Sequence, residues 1–257
     1  MPTPCKRMMP VRFWQGDLHN IEKVIMKIKF YPSSKEVSLL VPPPKPSVFY
    51  VPRWYRDIKK FSEKDMHINE TGAVDGINLK SCMPFFDGMV NGYIQETWQD
   101  IVVDNTDQRL TLSAQIVPEM IGSRGKDFHS PIGKGFYQNE FVWRSPWIPR
   151  LPKGWSALVT SPVNQVHLPF QTATGIIDSD NFYHSPFGNF PFYIKEGFRG
   201  IIPAGTPMYQ IIPIKRESWK SEIMPWNEDE QSKRIFMIAS KSYGAYKKLF
   251  HVRKDFR

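Results

Sequence analysis

The sequence predicts a mainly β protein, on three observations. Runs rich in β-branched and apolar residues alternate at period two, as in 23–30 (KVIMKIKF) and Arg109 to Val117 (RLTLSAQIV). Twenty-three prolines among 257 residues argue against long helices and for turns, edge strands and extended arms. From Gly154 to Trp219, apolar runs are separated by short loops of turn residues: GWSALVTSPVNQ, TGIIDSDNF and IPAGTPMYQIIPIKRESW.

Taken in order, residues 1–20 show little periodicity, and 23–30 form the first strand. Tyr31-Pro32-Ser33-Ser34 reads as a turn and Val37 to Val41 as a second short strand. Pro42 to Pro46 favours polyproline II geometry, and Trp54 to Phe61 fits one or two helical turns. Ser81 to Ile94 reads as a loop, a turn and a strand entry, and Ile101 to Val103 completes that hairpin arm. Asp104 to Asp107 supplies a turn before the Arg109 strand. Residues 121–140 carry Gly122, Gly125, Gly133 and Gly135 and read as a long loop; the basic stretch Gly122 to Lys126 is expected to be exposed. Phe141 to Trp143 is short and apolar, and Ser145 to Pro152 is extended. After Ile214, Asn227 followed by Glu228, Asp229 and Glu230 marks a helix start. That helix is expected over 228–250, with a break near Gly244. Three regions follow: 1–80, β and extended with a proline-rich arm; 81–216, a β core; and 217–257, a basic helical tail.

The net charge of +9 is concentrated. From Lys233 to Arg257, eight basic residues face Asp255 alone, a balance of +7. Such a tail meets nucleic acid, an anionic surface or an acidic partner, or it is a solvated helix face. Cys5 and Cys82 lie outside any CxxC pair, which fits free thiols and leaves a single disulfide open. No run approaches the roughly 18–20 apolar residues of a membrane span, and Met1 to Arg7 lacks the apolar stretch of a secretory leader. A cytoplasmic product is expected, which a virion component is also when first made.

The loops of the β core carry a family resemblance. Gly175-Ile176-Ile177-Asp178 matches the Gly-Val-Ile-Asp motif of the dUTPase / dCTP deaminase superfamily, and Gly205 to Ile211 keeps the Gly and Gln of Gly-Asp-Arg-Ile-Ala-Gln-Leu. Asn91-Gly92-Tyr93-Ile94-Gln95 stands where that family has Ala-Gly-Tyr-Asp-Leu, without the Asp. Thr160-Ser161-Pro162-Val163-Asn164 replaces the phosphate-holding Pro-Arg-Ser-Gly loop. The family's Gly-rich arm has no counterpart. The resemblance covers 83–216 and implies a β-clip barrel or sandwich with an N-terminal β extension and a C-terminal helix. It implies a homo-oligomer, a trimer by analogy. The chain is also similar to proteins of tailed phages and bacteria that share the Phe85 to Tyr93 and Ile202 to Pro207 stretches.

The residues the family shares here are those a strand-turn-strand needs. Those a triphosphate needs, a cationic fork and donating backbone N–H groups, are gone. The reading therefore leans against an enzyme and implies no cofactor. Asp178 is the catalytic candidate should there be chemistry, against a turn residue capping its own backbone. Tyr93, Asp178 and Gln210 are the ligand-binding candidates. The histidines show no HxH or HExxH spacing, so no metal is expected. Trp54, Tyr55, Arg56, Trp219, Trp226, Tyr243 and Tyr246 interleave aromatic and basic character, as nucleic-acid or protein contacts do. The expected function is a non-catalytic structural or interaction protein, a phage virion component such as a head decoration or tail accessory. The alternatives are a nucleotide-binding enzyme or sensor of the dUTPase-like superfamily, and a nucleic-acid binder acting through the basic tail. No membrane partner is expected.

Overall fold

The computed structural model describes residues 26–61, 77–106, 109–114, 118–124, 132–182, 188–241 and 244–256. In chain order the strands are β1 (Lys29–Pro32), β2 (Lys45–Pro46), β3 (Tyr93–Glu96), β4 (Ile101–Thr106), β5 (Arg109–Ser113), β6 (Ile121–Ser123), β7 (Phe141–Arg144), β8 (Trp147–Arg150), β9 (Trp155–Thr160), β10 (Phe170–Thr172), β11 (Gly175–Ile177), β12 (Asn189–Ile194), β13 (Gly200–Ile202) and β14 (Pro207–Lys215). The helices are α1 (Lys35–Leu40), α2 (Arg53–Asp57), α3 (Met83–Val90), α4 (Glu228–Ala239) and α5 (Ala245–Leu249).

The protein is mainly β, and the strands form four antiparallel sheets. The largest runs β11-β9-β14-β3-β2, a second runs β10-β12-β7-β6, a third β13-β4-β5, and β1 pairs with β8. β14, the longest strand, is central: one edge pairs with β9 and the other with β3. A single extended segment changes sheets at Ser145-Pro146, passing from β7 to β8. Proline removes a ladder donor, so it suits such a crossing.

The core lies between the first two sheets. Trp143 is fully buried and stacks on Phe192 with 3.6 Å between ring centroids. Phe170 meets Trp143 edge-on, and Tyr209, Met208, Ile211 and Val159 enter from the facing sheet. The indole N–H of Trp143 donates to Thr172 Oγ1 at 2.9 Å. The Thr172 hydroxyl donates in turn to the Met208 carbonyl at 2.7 Å. Two sheets are thus joined by a buried polar relay in which each donor has an acceptor.

Six expectations needed correction. Tyr31 and Pro32 do not turn but continue β1 opposite Ile148 and Trp147. Ile101 to Val103 form no hairpin with β3: β4 pairs with β13 and β5, and β3 with β14 and β2. Val37 to Val41 is not a strand: Lys35–Leu40 is helical, because Ser34 Oγ accepts the Val37 N–H at 3.2 Å and caps the first turn. Met83–Val90 is helical where a loop and strand entry were expected. Pro84 stands in the first turn, where its missing N–H costs nothing. Asp104 to Thr106 continue β4 rather than turn. Ile121–Ser123 pairs with β7, and the Arg144 guanidinium lies over Gly122. Gly125 and Lys126 lie outside the described residues. The C-terminal helix is split as expected, with Asn227 Oδ1 accepting the Glu230 N–H at 3.1 Å and Gly244 left-handed at φ 66°.

If the relay holds the sheets together, Thr172→Val should cost about 1–3 kcal/mol, because it leaves the Trp143 N–H and the Met208 carbonyl buried and unpaired. Urea unfolding measures this, and an unchanged midpoint would show the relay to be idle.

Candidate functional site

Asp178 follows β11 at the head of a tight turn. The turn is closed by the N–H groups of Asn181 and Phe182, which donate to the Asp178 carbonyl at 3.0 and 2.8 Å. The Asp178 side chain does not cap its own backbone. Its Oδ1 accepts from Ser156 Oγ at 2.7 Å and from Arg216 Nη1 at 3.0 Å. Asp180 sits beside it with a nearly buried carboxylate. That carboxylate accepts both Nη groups of Arg216 and the Gly154 N–H, the last at 2.8 Å. The Arg216 hydrogen bond first and the Gly154 N–H second hold the Asp180 carboxyl down at about 2. In the other direction, Asp180 chiefly raises the Arg216 guanidinium above its usual value.

The cluster fastens the start of β9, the end of β11 and the end of β14 to one another. A bidentate guanidinium on two carboxylates is a strong and specific fork. The Asp180 carboxylate has both oxygens engaged and is a poor general base, whereas Asp178 is held through Oδ1 alone and its side chain is largely exposed. Neither Ser156 nor Arg216 carried a local sequence signal. They converge because β9 and β14 run antiparallel, with Ser156 opposite Ile214.

Gln210 is fully buried and plays a different part. Its Oε1 accepts the Val163 N–H at 2.8 Å, and its Nε2 donates to the carbonyls of Gly88 and Asn91, at 3.0 Å to Gly88. It ties α3, the 161–165 loop and β14 together. Tyr93 is half-buried between Phe30 and Phe256, both edge-on to its ring. Burial raises its phenol above the usual value. Asp178, Gln210 and Tyr93 do not share one cleft. Gln210 faces Thr160 on β9, four residues along from the Ser156 that Asp178 contacts.

A cleft of about 310 Å³ lies over the 160–166 loop. Two of the loop's N–H groups are used internally. The Val163 N–H goes to Gln210, the Gln165 N–H goes to the Pro162 carbonyl at 3.2 Å, and Pro162 has none. Asn164 is left-handed at φ 63°, with its amide donating to the Phe85 carbonyl at 3.0 Å.

The aromatic candidates divide. Tyr55 is buried, stacked on Phe85 and Phe86 and lying under the Lys80 ammonium, so it anchors α2 on α3. Trp54 packs edge-on to Tyr55, while Arg56 is exposed. Trp219 and Trp226 are exposed, and Tyr246 is partly so. Tyr243 lies outside the described residues. Trp219 and Trp226 belong to an arm that leaves the core after Lys215. It exposes Trp219 at 87%, Ile223 at 98% and Phe236 at 78%, together with Met224, Ile235 and Ile238, and α4 has no buried residue. The chain then returns to the core. Asp87 takes His251 Nε2 at 3.1 Å and Lys254 Nζ at 2.8 Å, and Phe256 meets Tyr93. Burial raises the Asp87 carboxyl, but Lys254 and His251 outweigh it, and the net direction is down.

Among the described residues no three His, Cys, Asp or Glu side chains gather as metal ligands, and no helix is long and apolar enough to cross a membrane. Cys82 is an exposed free thiol. His129 and His184 lie outside the described residues.

The Asp180 cluster gives a signed pH dependence. Its carboxyl is lower in the folded chain, at about 2, than its ordinary 3.8. Its contribution to stability is therefore present above about pH 4 and is lost as pH falls toward 2. Thermal unfolding of Asp180→Asn against the wild type should show a gap in Tm at pH 6 that narrows steadily between pH 4 and pH 2. A gap constant with pH would remove the carboxylate from this role.

No family model matches the chain, and no curated protein matches it. A solved structure of a mutant dUTPase from phage phi11 of S. aureus, described for its coordination of a structural Mg(II) ion, is similar to it at 14% identity. The match covers 66% of this chain and 96% of that one at a TM-score of 0.28, a weak likeness to the dUTPase fold.

Proposed function

We propose that this chain is a non-catalytic interaction protein that fastens itself to neighbouring protein subunits through its C-terminal arm. The observation that carries the reading is the arm's apolar surface. Between Trp219 and Ile238, two tryptophans, a phenylalanine, three isoleucines and two methionines are exposed. Burying one such side chain stabilises by about 1.5–3 kcal/mol, and this chain leaves all of them in water. The arm is not a loose end: β14 holds one side of it, and the Asp87 contacts of His251 and Lys254 hold the other. A segment anchored at both ends presents its aromatic residues at reduced entropic cost, and tryptophan is a favoured hot-spot type.

The partner in this reading is a subunit of a larger assembly. It includes further copies of this chain, a trimer being the order implied by the β-clip resemblance. The resemblance of the Phe85 to Tyr93 and Ile202 to Pro207 stretches to tailed-phage proteins supports a virion as that assembly, with the chain as a head decoration or tail accessory. Asp178, the residue on which the nucleotide-binding alternative turns, is engaged by Ser156 and Arg216, and this favours the interaction reading.

Sedimentation velocity on the full chain should show concentration-dependent association, or co-sedimentation with assembled particles. The variant Trp219→Ser, Ile223→Asp, Phe236→Asp should lose both while keeping the wild-type Tm. A wild-type chain that stays monomeric and joins no particle would overturn the reading. So would a nucleotide that raises Tm strongly in the wild type and not in Asp178→Asn. At 100 times its Kd such a ligand adds about 2.7 kcal/mol.

A further inference from the structure

The apolar side chains of α4 gather on one side of the helix. At about 100° per residue, Ile238, Ile235, Ala239 and Phe236 fall within an arc of about 160°. Gln231, Glu228 and Ser232 complete that arc toward the N-terminal end, and Asp229, Glu230, Lys233 and Arg234 lie outside it. α5 does not cover the arc. Met237, on the opposite side, is less exposed than Ile235, Phe236 or Ile238. Among the described residues, 218–241 form their hydrogen bonds and ion pairs with one another, so nothing of the core holds this face.

The same segment is divided by charge along its axis. Glu228, Asp229 and Glu230 fill the first turn, Lys233 and Arg234 follow, and Lys241 stands just past the end. A parallel copy would lay acids on acids. An antiparallel copy lays the acidic turn of each helix beside the basic end of the other and opposes the two macrodipoles. A two-fold axis passing between Ile235 and Phe236 sets Glu230 across from Lys241 of the second copy, and Ser232 across from Ala239 of the second copy. Glu230 takes Arg234 through Oε1, an exposed i,i+4 pair that leaves Oε2 for a second cation. The Lys241 ammonium has no ion-pair partner among the described residues. An anionic lipid or nucleic-acid surface would meet the basic end well and be repelled by the three acids at the other.

We propose that α4 pairs antiparallel with α4 of a second copy of this chain, burying Ile235, Phe236, Ile238 and Ala239 of both. The inference rests on the reading of the arm as an interaction element and names its partner and register. The contact is isologous, so one patch serves both copies. Large residues meet at the two-fold axis. The small Ser232 and Ala239 face each other on either side of it, which lets the helix axes approach to the usual spacing of about 8–10 Å.

The test uses the full chain and sedimentation velocity at about 0.1 M ionic strength. Ile235→Asp with Ile238→Asp should weaken self-association by about a hundredfold or more and leave the Tm of the core unchanged. Glu230→Lys and Lys241→Glu, taken singly, should each weaken it by about tenfold. Mixing the two single variants, or combining both changes in one chain, should restore it, because each acid then meets a base again. Single reversals that weaken association without such rescue overturn the antiparallel register. If the α4 variants associate as the wild type does while Trp219→Ser with Ile223→Asp does not, the arm binds through its first half and the α4 pairing is overturned. A wild-type chain that joins assembled particles without associating with itself also overturns the pairing and leaves the interaction reading standing. One that does neither ends both.

Discussion

The hydrogen bond from the Trp143 indole to Thr172, passed on to the Met208 carbonyl, is the contact on which the rest of the molecule depends. It is buried, so its members strengthen one another, and each would be costly to leave unpaired. Its last acceptor lies on β14. That strand also carries Gln210, which fixes α3 and the 161–165 loop. Just past its end, Arg216 locks the Asp178 turn. A shift of β14 by one residue would turn Gln210 out of its pocket and break the Arg216 fork together, because side chains alternate faces along a strand. Register, core and surface clamps are one constraint seen at three points.

The polar residues of the core therefore act as fasteners. Gln210, Thr172 and the Arg216 cluster each join elements that are distant in sequence, and their hydrogen-bonding groups are directed at protein atoms. The 160–166 loop follows the same logic at two points: the Val163 N–H goes to Gln210 and the Gln165 N–H to the Pro162 carbonyl.

Strands were legible in the sequence where period two was clean, as in β5, and where short turns bracket apolar runs, as at β9 and β14. It hid the helices whose signals were short. α1 turns on one serine hydroxyl, and its Val-Ser-Leu-Leu run has the composition of a strand. α3 holds both a proline and a glycine. It is helical because Phe85 and Phe86 pack on Tyr55 and because Gly88 lets the Val163 side chain approach to 3.1 Å of where a Cβ would stand. Tertiary packing overrides propensity in such segments. Asp178 stood out in the sequence for the motif it completes. Its partner Arg216 did not, since no spacing rule links residues that meet only through antiparallel pairing.

The arm poses the opposite problem, because its composition is plain and its purpose is not local. α4 is well capped by Asn227 and carries acids in its first turn, so it forms without help from the core. Its Ile235, Phe236 and Ile238 nonetheless face water. A helix whose own termini are satisfied, but whose apolar side chains are not covered, is stable locally and incomplete globally. The return of the chain to Asp87 adds to this, since fixing residues 251–256 on the core restricts where the apolar surface can go. The ordering cost of the arm is thus met within the chain, so the partner proposed for it would supply apolar surface.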